Sequence, residues 1–362
     1  MALAVLIAGG GTGGHLFPGI AVARELLARV PDAQVTFVGT SAGIEAHVVP
    51  REGFTLDVIR SAGLKGKSLA AQLRGLALLP LSAIDAWRVL GRRRPSVVIG
   101  VGGYSSGPVV ALAAARGIPT LLLEQNAMPG ITNRLLARVV KAAAVTYEET
   151  VAFFGPKAFV AGNPVRPEFF DASGRSFAEA TVARVRVLIF GGSQGAHAIN
   201  MAMVEAAPRL AAVPQLAITH QTGERDLEMV RDAYRRAGLE ARVEPFLFAM
   251  DREMSGADLV VCRAGATTLA ELTAAGRPAI LVPLPTATDD HQRRNAQALV
   301  AQGAAVMIEQ RELTGERLAG AIVALASDVE RRRRIGEAAR RLARPDAAKV
   351  IVDKVLELAR RE

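Results

Sequence analysis

Cysteine and aromatic residues are scarce in this chain. Cys262 is the only cysteine among 362 residues, so no disulfide can form within the chain and a reducing compartment is expected. Phe, Trp and Tyr together make up 4% of the residues, and no aromatic-rich recognition motif is present. RNA binding is therefore disfavoured, and no nucleic-acid partner is expected.

The sequence also lacks a targeting segment and an uninterrupted membrane span. Residues 1–8 are apolar but carry no basic residue and lead directly into glycines, which predicts a first strand and not a signal peptide. The longest uncharged stretch, residues 95–115, has the length to cross a bilayer. Glycines, serines and Pro108 interrupt its middle, so a strand, a loop and a helix fit better and no transmembrane helix is expected.

Motifs for the common cofactors and metals are incomplete. The predicted strand at 34–38 is followed by Gly39, Thr40 and Ser41, without the acid that holds a dinucleotide ribose. The second glycine-rich loop lacks the Lys-Ser/Thr of an ATP-hydrolysing loop. No Asp-x-Asp triplet occurs, and no second His or Cys stands at ligand spacing from His291. We therefore predict neither a cofactor nor a metal.

Basic residues are abundant: 44 Lys and Arg stand against 35 Asp and Glu, a formal net charge of +9. Such an excess favours anionic partners, which include nucleic acid, acidic lipid and phosphorylated substrates. A generally arginine-rich proteome explains the same excess equally well.

Short apolar runs alternate with amphipathic segments of helical length. Runs that are apolar throughout are typical of strands buried on both faces, hence of a parallel sheet with crossover helices. The predicted strands are 3–8, 34–38, 97–99, 119–123, 185–190, 215–219, 242–246, 259–262 and 278–282. The fold class is therefore α/β.

Each half of the chain opens with a strand, a glycine-rich loop and a helix. The loops are 9–14 and 191–195, and the segment 162–184 between the halves is rich in Pro, Gly and polar residues. Two Rossmann-like domains are predicted, 1–163 joined by a terminal helix at 346–362, and 164–345. Ligands of such sheets bind at the carboxyl ends of the strands, so the expected site is the cleft between the domains.

The first loop matches Gly-x-Gly-x-x-Gly at Gly9, Gly11 and Gly14, and His15 follows it directly. Glycines let a backbone approach a phosphate, and a helix start favours an anion. His15 at that helix start has an imidazole able to take a proton. A tight turn and a structural histidine are the alternatives.

Polar residues follow two further predicted strands. Ser193 in the second loop can bond a phosphate or a sugar, and Glu124, Gln125 and Asn126 follow an apolar strand. Their position at a sheet edge suits a sugar or a pyrophosphate. A plain strand-to-helix turn and a capped turn are the respective alternatives.

The stretch 262–271 carries the strongest phosphate signal. A strand ends at Cys262 and a helix begins near Ala266, with small residues and two threonines, Thr267 and Thr268, at its start. Glu271 lies five residues further on, roughly 7.5 Å along the helix axis at about 1.5 Å per residue. Because a ribose lies about that far from its diphosphate, Glu271 is a candidate ribose ligand; the alternative is an acid that complements the helix dipole.

A second polar cluster, Asp289, Asp290, His291, Gln292 and Asn295, lies where a Pro-rich loop enters a helix. Contacts to a hydroxylated ligand are favoured over a metal, and an N-capped surface helix is the alternative.

The stretch 65–94 combines apolar and basic residues with a tryptophan and is interrupted by Pro80. This pattern suits an anionic membrane surface, although the same leucines would also suit an ordinary core. The apolar residues are Leu69, Leu73, Leu76, Leu78, Leu79, Leu81, Ile84 and Trp87, and the basic ones are Lys65, Lys67, Arg74, Arg88, Arg92, Arg93 and Arg94.

Several motifs, in order along nearly the whole chain, make it resemble the MurG family of bacterial transferases. These enzymes move N-acetylglucosamine from its UDP donor onto the membrane-bound lipid I of peptidoglycan synthesis. The motifs are Gly10-Gly11-Thr12-Gly13-Gly14-His15, Gly102-Gly103-Tyr104, Glu124-Gln125-Asn126, Gly162-Asn163-Pro164-Val165-Arg166, Gly191-Gly192-Ser193-Gln194-Gly195-Ala196, the stretch 262–271, and Asp290-His291-Gln292 with Asn295-Ala296.

The resemblance implies a GT-B-type architecture of two Rossmann-like, doubly wound parallel-sheet domains facing a cleft. The C-terminal domain would hold the UDP-sugar, and His15 with the first loop would meet the acceptor. The implied substrate contacts are Thr12, Gly13, Gly14, Asn126, Arg166, Ser193, Leu247, Ala266, Thr267, Thr268, Leu269, Ala270, Glu271 and Gln292. The chain departs from the family at Phe248 and Ala249, where acidic residues are usual, and at Leu123, where a histidine is frequent.

The implied reaction is inverting transfer to the 4-hydroxyl of the N-acetylmuramoyl unit of lipid I, giving lipid II. The implied enzyme is peripheral and lies at the cytoplasmic face of the cell membrane. His15 is the expected general base, with Glu271 in support, and a pyrophosphate-binding role for His15 stays open. The alternatives are a UDP-sugar epimerase, another GT-B-type lipid glycosyltransferase, a NAD-dependent oxidoreductase and a non-catalytic membrane-docking protein.

Overall fold

A computed structural model describes residues 3–61, 69–170, 184–192 and 195–360, with the backbone alone for residues 69–77. The chain folds as two compact units. Met1–Val165 and Arg344–Glu362 form the first unit, and Arg166–Ala343 forms the second.

The first unit is built around a parallel sheet of seven strands in the order β3-β2-β1-β4-β5-β6-β7. Its strands are β1 Ala4–Gly9, β2 Gln34–Gly39, β3 Thr55–Val58, β4 Val97–Gly102, β5 Thr120–Glu124, β6 Ala142–Val145 and β7 Ala158–Val160. β1 lies in register with both neighbours, pairing Ile7 with Phe37 on one side and with Ile99 on the other. The chain order reverses between β1 and β4, which is where such sheets bind ligands.

Helices cover both faces of this sheet. They are α1 Gly13–Arg29, α2 Glu45–Arg51, α3 Leu69–Arg93, α4 Ser106–Ala115, α5 Ile131–Leu136, α6 Val151–Phe154 and, from the end of the chain, α14 Ala347–Arg360. Val5 and Ile7 of β1 pack with α1 and α14, whereas the alternate residues Leu6 and Ala8 pack with α3 and α4. Because successive strand side chains point to opposite faces, a strand covered on both faces has to be apolar throughout.

Helix α3 passes through Pro80 without a break, contrary to the predicted interruption. Proline removes one backbone hydrogen bond and crowds the preceding turn, but here it lies inside a helix of 25 residues. Ala86, Val89 and Leu90 on its C-terminal part are buried against the sheet. That burial, worth about 1.5–3 kcal/mol for each large apolar side chain, offsets the cost of the proline.

The second unit has a parallel sheet of six strands in the order β10-β9-β8-β11-β12-β13. The strands are β8 Val185–Phe190, β9 Leu216–Gln221, β10 Ala241–Glu244, β11 Leu259–Cys262, β12 Ala279–Leu281 and β13 Val306–Met307. Renumbered within the unit, this order is the 3-2-1-4-5-6 of dinucleotide-binding folds. The reversal point lies between β8 and β11, whose register pairs Ile189 with Val261.

Seven helices accompany this sheet in the described part of the unit. They are α7 His197–Ala211, α8 Leu227–Ala237, α9 Met250–Gly256, α10 Ala266–Ala275, α11 His291–Ala301, α12 Gly315–Ser327 and α13 Val329–Arg341. Alternate residues of β8, Val187 and Ile189, join a core that includes Ile199 of α7 and Ile322 of α12. Among the described helices, none is both long and apolar enough to cross a membrane.

Candidate active site

In the first unit, two glycine-rich turns meet at the reversal point of the sheet. A Cβ atom on Gly9 would lie 2.3 Å from the carbonyl oxygen of Gly102, and one on Gly103 would lie 2.4 Å from that of Gly10. All four residues also have positive φ, which glycine alone adopts freely. The glycines after β1 and β4 therefore serve close backbone packing between two turns.

The carboxylate of Glu45 fills the inside of the first loop. Its Oε2 accepts from the Gly11 N–H at 2.8 Å, and its Oε1 accepts from the backbone N–H and the hydroxyl of Thr40, both at 2.9 Å. Glu45 is 1% exposed, and a Cβ on Gly10 would lie 2.5 Å from its carboxyl carbon. The Gly11 N–H is thus taken by the protein's own anion, and an external anion would meet the first turn of α1 instead.

Three predicted contacts occupy that first turn. Thr12 is the N-cap of α1 and is exposed, and its hydroxyl makes no capping bond. Gly13 and Gly14 are half-buried and begin the helix. A hydroxyl and two small residues at a helix start suit an anion, because the helix dipole is positive there.

His15 is the third residue of α1 and is half-buried. Its Nδ1 lies 3.4 Å from Oε1 of Gln125, which follows β5. A Cβ on Gly102 would lie 2.8 Å from the same Nδ1, so the imidazole packs directly on the turn after β4. Three strand ends thus converge on one imidazole.

Glu124 holds the turn after β5 together and is not positioned as a ligand contact. Its buried carboxylate accepts from the backbone N–H groups of Asn126 and Gly130, both at 3.0 Å, and from Nδ2 of Asn133 at 2.9 Å. Burial raises the pKa of Glu124, and these hydrogen bonds act in the opposite direction. Of the three polar residues predicted at this edge, Asn126 is the half-buried one; Glu124 and Gln125 are buried.

In the second unit, the turn after β8 leads into α7. A Cβ on Gly195 would lie 1.9 Å from the carbonyl oxygen of Thr222, and one on Gly191 would lie 2.2 Å from the Cβ of Ala196. Gly195 is therefore required for close packing against the turn after β9, and Gly191 for the tight turn into α7. Ser193, a predicted contact, lies outside the described residues.

Gln221, at the end of β9, joins two candidate loops. Its Nε2 donates to the Gly192 carbonyl at 2.8 Å, and its Oε1 accepts from the Leu247 N–H at 2.9 Å. Both Gln221 and the predicted contact Leu247 are buried. Since the Leu247 N–H is already bonded, its backbone carbonyl is the polar group at that residue that can meet a ligand.

The turn after β11 presents the start of α10. Gly265 is the N-cap and has no side chain to cap the helix, and the helical ladder begins with Leu269 N–H donating to Gly265 at 3.0 Å. Thr267 and Thr268 are half-buried beside buried Ala266. The first turn has backbone N–H groups without helical partners and carries two threonines, a composition that suits a diphosphate. Leu269 is buried and Ala270 half-buried in the same helix.

Two buried side chains fix this turn. Arg263 donates through Nη1 to the carbonyls of Val282 and Pro283, at 3.1 and 3.2 Å, and burial lowers its pKa to about 10. Asn295 of α11 donates to the Ala264 carbonyl at 3.4 Å. The turns after β11 and β12 are thereby held to each other.

Glu271 is the titratable group of this site with the most unusual environment. Desolvation raises its pKa to about 7, the positive charge of Arg166 acts to lower the pKa, and Asp251 adds to the rise. Arg166 lies over the Phe169 ring, with its guanidinium carbon 5.1 Å from the ring centroid. The predicted contacts Arg166 and Glu271 are thus close enough to interact electrostatically.

The polar cluster at the start of α11 is strained. Asp289 and Asp290 both have left-handed backbones, with φ of 55° and 56°, a conformation that is uncommon outside glycine and found most often for Asn and Asp. Asp290 occupies the N-cap position but its side chain makes no capping bond and pairs with Arg293 instead. Gln292 accepts from the Leu284 N–H at 3.0 Å through Oε1, which leaves its amide nitrogen to donate.

The structure divides the predicted contacts between the two units. Thr12, Gly13, Gly14, His15 and Asn126 belong to the first unit. The second unit holds Arg166, Leu247, Ala266, Thr267, Thr268, Leu269, Ala270, Glu271 and Gln292. Within the described ranges, no group of three or more His, Cys, Asp or Glu side chains has the arrangement of a metal site.

Two family models match the chain, and together they cover most of it. The N-terminal domain model of glycosyltransferase family 28 matches residues 5–145, and the C-terminal domain model of the same family matches residues 186–351. The chain belongs to glycosyltransferase family 28. Membership in this family, together with the two parallel sheets, confirms the predicted GT-B-type fold and the prediction of a glycosyltransferase.

Curated relatives of family 28 match at nearly full length. The UDP-N-acetylglucosamine--N-acetylmuramyl-(pentapeptide) pyrophosphoryl-undecaprenol N-acetylglucosamine transferase of Anaeromyxobacter dehalogenans (strain 2CP-C) is 53% identical over 99% of this chain and 93% of its own length. The enzyme of the same name from Geobacter sulfurreducens is 48% identical over 99% of both chains. The predicted resemblance to the MurG family is thus confirmed.

Solved structures agree with this family assignment. MurG of Acinetobacter baumannii has a TM-score of 0.81 and 32% identity, over 98% of this chain and 99% of that one. The UDP-GlcNAc 2-epimerase of Neisseria meningitidis, bound to UDP-GlcNAc, has a TM-score of 0.68 at 13% identity, over 98% and 99% of the two chains. The second likeness shows a shared fold alone.

Three residues important to this geometry were missed by the sequence prediction as contributors to the site. Glu45 and Gln221 act through hydrogen bonds to loops distant in the sequence, and no spacing pattern marks such partners. The sequence predicts Gln125 at the sheet edge as a ligand contact. In the structure it is 2% exposed and its side chain faces His15.

Proposed function

We propose that this protein transfers N-acetylglucosamine from UDP-N-acetylglucosamine to the 4-hydroxyl of the N-acetylmuramoyl unit of lipid I, giving lipid II. The observation that carries the proposal is the start of α10 beside Glu271, in a chain about 50% identical to transferases of that name over nearly its whole length. The epimerase alternative is not favoured, because its support is a fold likeness at 13% identity.

The donor is proposed to bind the second unit. Its diphosphate would lie at the first turn of α10, against the N–H groups and hydroxyls of Thr267 and Thr268. Glu271, roughly 7.5 Å further along the helix, would accept from the ribose hydroxyls. The Leu247 carbonyl and the Gln292 amide nitrogen would then meet the base and the sugar, since their other polar groups are already bonded.

The acceptor is proposed to meet the first unit. Thr12, Gly13 and Gly14 would contact its pyrophosphate at the start of α1, where the helix dipole favours an anion. His15 would lie beside the attacking hydroxyl as general base, a role typically worth about 10²–10⁴-fold in rate. Asn126 would contribute a further polar contact.

The proposed reaction is a single inverting displacement. The acceptor 4-hydroxyl oxygen bonds to the anomeric carbon of N-acetylglucosamine as the bond from that carbon to the diphosphate oxygen breaks. The hydroxyl proton moves to His15, and UDP leaves with the bonding electron pair. The start of α10 and the positive charge of Arg166 would stabilise the negative charge that develops on the leaving diphosphate.

An exposed apolar surface on the first unit supports peripheral attachment to a membrane. Leu79, Ile84 and Trp87 of α3 are 44%, 45% and 55% exposed, and Leu135 of α5 is 74% exposed. The guanidinium of Arg116 lies 4.7 Å from the Trp87 ring centroid. Helix α4 packs against both α3 and α5, so these side chains belong to one region of the unit.

Basic residues around this apolar region support the proposal that it faces an anionic membrane surface. Exposed basic side chains accompany the apolar ones: Arg88 and Arg92 on α3, Arg134 on α5, and Arg138 and Lys141 between α5 and β6. An apolar patch with a basic rim binds anionic lipid surfaces, so we place the enzyme at the cytoplasmic face of the cell membrane. The predicted patch residues Lys65 and Lys67, and the side chains of Leu69, Leu73, Arg74 and Leu76, lie outside the described residues.

The test is UDP release from UDP-N-acetylglucosamine with and without a short-chain lipid I analogue. We expect UDP release that depends on the acceptor, together with a disaccharide product. Replacing His15 by Ala should lower turnover by about 10²–10⁴-fold and leave donor affinity unchanged. Acceptor-independent conversion of the donor would indicate an epimerase, and donor binding without transfer would indicate a different acceptor; either result contradicts the proposal.

A further inference from the structure

Gln125 lies at a point where its amide can act on His15 and on nothing outside the protein. It follows β5 directly, and its side chain is 2% exposed. Its Nε2 donates to the Val101 carbonyl at 3.2 Å, and its Oε1 lies 3.4 Å from Nδ1 of His15. Both ends of the carboxamide are therefore used inside the first unit.

The Val101 contact determines which end of the amide faces the imidazole. A carbonyl oxygen only accepts, so the NH₂ group of Gln125 has to point at Val101 and the oxygen has to point at His15. That oxygen also only accepts. Nδ1 of His15 must therefore carry a proton, and in the neutral imidazole the lone pair then lies on Nε2.

The imidazole of His15 is also in contact with the turn after β4. Gly102 has φ of 95°, and a Cβ there would lie 2.8 Å from Nδ1 and 2.9 Å from Cε1 of His15. The imidazole therefore rests on a backbone that has no side chain. With Gln125 at Nδ1 and Gly102 beneath the ring, a flip of the imidazole would lose the hydrogen bond to Oε1.

The carboxylates near His15 are engaged elsewhere. Glu45 accepts from the backbone N–H groups of Gly11 and Thr40, and Glu124 accepts from those of Asn126 and Gly130. Tyr104 follows the Gly102 turn and is 51% exposed, and its ring would lie 3.8 Å from a Cβ on Gly11. Oε1 of Gln125 lies within hydrogen-bond distance of Nδ1 of His15.

We propose that Gln125 is a positioning residue for the transfer reaction: it holds His15 as the tautomer with hydrogen on Nδ1, so that Nε2 accepts the acceptor's hydroxyl proton. The inference rests on the proposed function in assigning that proton to His15. Because the amide of Gln125 is neutral, it favours the tautomer with hydrogen on Nδ1 without placing a charge next to the base. A carboxylate at the same place would favour the imidazolium instead.

The direct test is the tautomer itself, measured by two-bond proton–nitrogen correlation spectra of the ¹⁵N-histidine-labelled full-length protein. The chain has five histidines, and a His15→Gln spectrum identifies the His15 signals. We expect the Nδ1-H form in the wild type at pH 8 and its loss in Gln125→Met, which keeps the side-chain length but cannot accept. An Nε2-H form in the wild type would overturn the inference whatever the enzyme transfers.

Kinetics with UDP-N-acetylglucosamine and a lipid I analogue test the catalytic consequence. Gln125→Met should lower kcat by about 10–100-fold, a part of what a general base contributes, with donor KM within about twofold. Gln125→Glu should keep an acceptor at Nδ1 and move the acidic limb of the kcat–pH profile to higher pH, because a neighbouring carboxylate favours the imidazolium. In a His15→Gln background, Gln125→Met should have no further effect.

Each failure has a distinct meaning. An equal loss from Gln125→Met with and without His15 would assign Gln125 a purely structural role and overturn the inference. Activity that requires protonated His15, seen as a loss of kcat at high pH in the wild type, would also overturn it and would favour pyrophosphate binding. No acceptor-dependent UDP release by the wild type would instead refute the proposed function, while the spectra would still report the tautomer.

Discussion

Replacing Glu271 by Gln should stabilise the protein at high pH and weaken donor binding. Desolvation raises the folded-state pKa of Glu271 to about 7 from an ordinary value of 4.5. Between these two values the folded state binds more protons than the unfolded state, so wild-type stability falls as the pH rises. The loss is absent below pH 4.5 and complete above pH 7.

The size of the effect follows from the pKa difference. At about 1.4 kcal/mol for each pKa unit, ionising Glu271 costs the folded state about 3 kcal/mol above pH 7. Glutamine has nearly the same shape as glutamate but does not ionise in this pH range, so the folded state of the variant avoids this cost. For a unit of this size, 1 kcal/mol corresponds to about 2–4 °C in Tm; the Tm advantage of Glu271→Gln should therefore grow by about 6–12 °C between pH 5 and pH 8.

The assay is thermal unfolding of wild type and Glu271→Gln at a series of pH values, without ligand. Glu316→Gln is the matched control, because this substitution removes the same charge from a side chain that is 77% exposed. Donor affinity, measured by calorimetry with UDP-N-acetylglucosamine, should fall by about 10–100-fold in Glu271→Gln, since a hydrogen bond to a charged group contributes about 1.5–3 kcal/mol. A Tm difference that does not vary with pH would refute the reasoning about desolvation.

Three further predictions follow from single contacts. Glu45→Ala should destabilise the protein by about 2–4 kcal/mol in urea unfolding, because the partly buried backbone N–H groups of Gly11 and Thr40 lose their acceptor; unchanged stability would contradict this role. Gln221→Ala should raise the donor KM by about 10-fold with kcat little changed, since two loops lose their shared hydrogen-bond partner, and a pure kcat effect would argue against it. Leu135→Glu should reduce sedimentation with anionic vesicles but leave turnover of a short-chain acceptor unchanged; binding equal to wild type would exclude this side chain from the membrane contact.

The architecture was predictable from the sequence because the strands are buried on both faces. Residues 185–190 and 259–262 were predicted as strands and form β8 and β11 with these bounds. Short strands were missed: β13 has two residues, half-buried, and β7 has three, also half-buried. Both strands lie in short apolar runs, residues 158–161 and 304–308, and periodicity alone cannot distinguish such a run from a segment of buried helix.

Candidate ligand-facing residues could be chosen from the sequence where they follow a strand directly. The start of α10 and the end of β5 both come after apolar runs, and the carboxyl ends of strands are where parallel sheets bind ligands. Whether a polar residue there faces a ligand or the protein was not predictable. Glu124 accepts three short hydrogen bonds inside its own turn, and nothing in its sequence neighbourhood distinguishes it from Asn126.

The first glycine-rich loop and the start of α10 together show why a loop motif alone does not identify a phosphate site. The first matches Gly-x-Gly-x-x-Gly, yet its Gly11 N–H is bonded to Glu45, a carboxylate 34 positions away in the sequence. The start of α10 matches no such motif, but its N-cap, Gly265, has no side chain with which to occupy the helix start. Because an anion already inside a loop repels a second one, the motif-bearing loop is the poorer diphosphate site of the two. The first six strands have the same order in both units, so the proposed division of acceptor and donor between the units depends on the groups at each helix start and not on the sheet order.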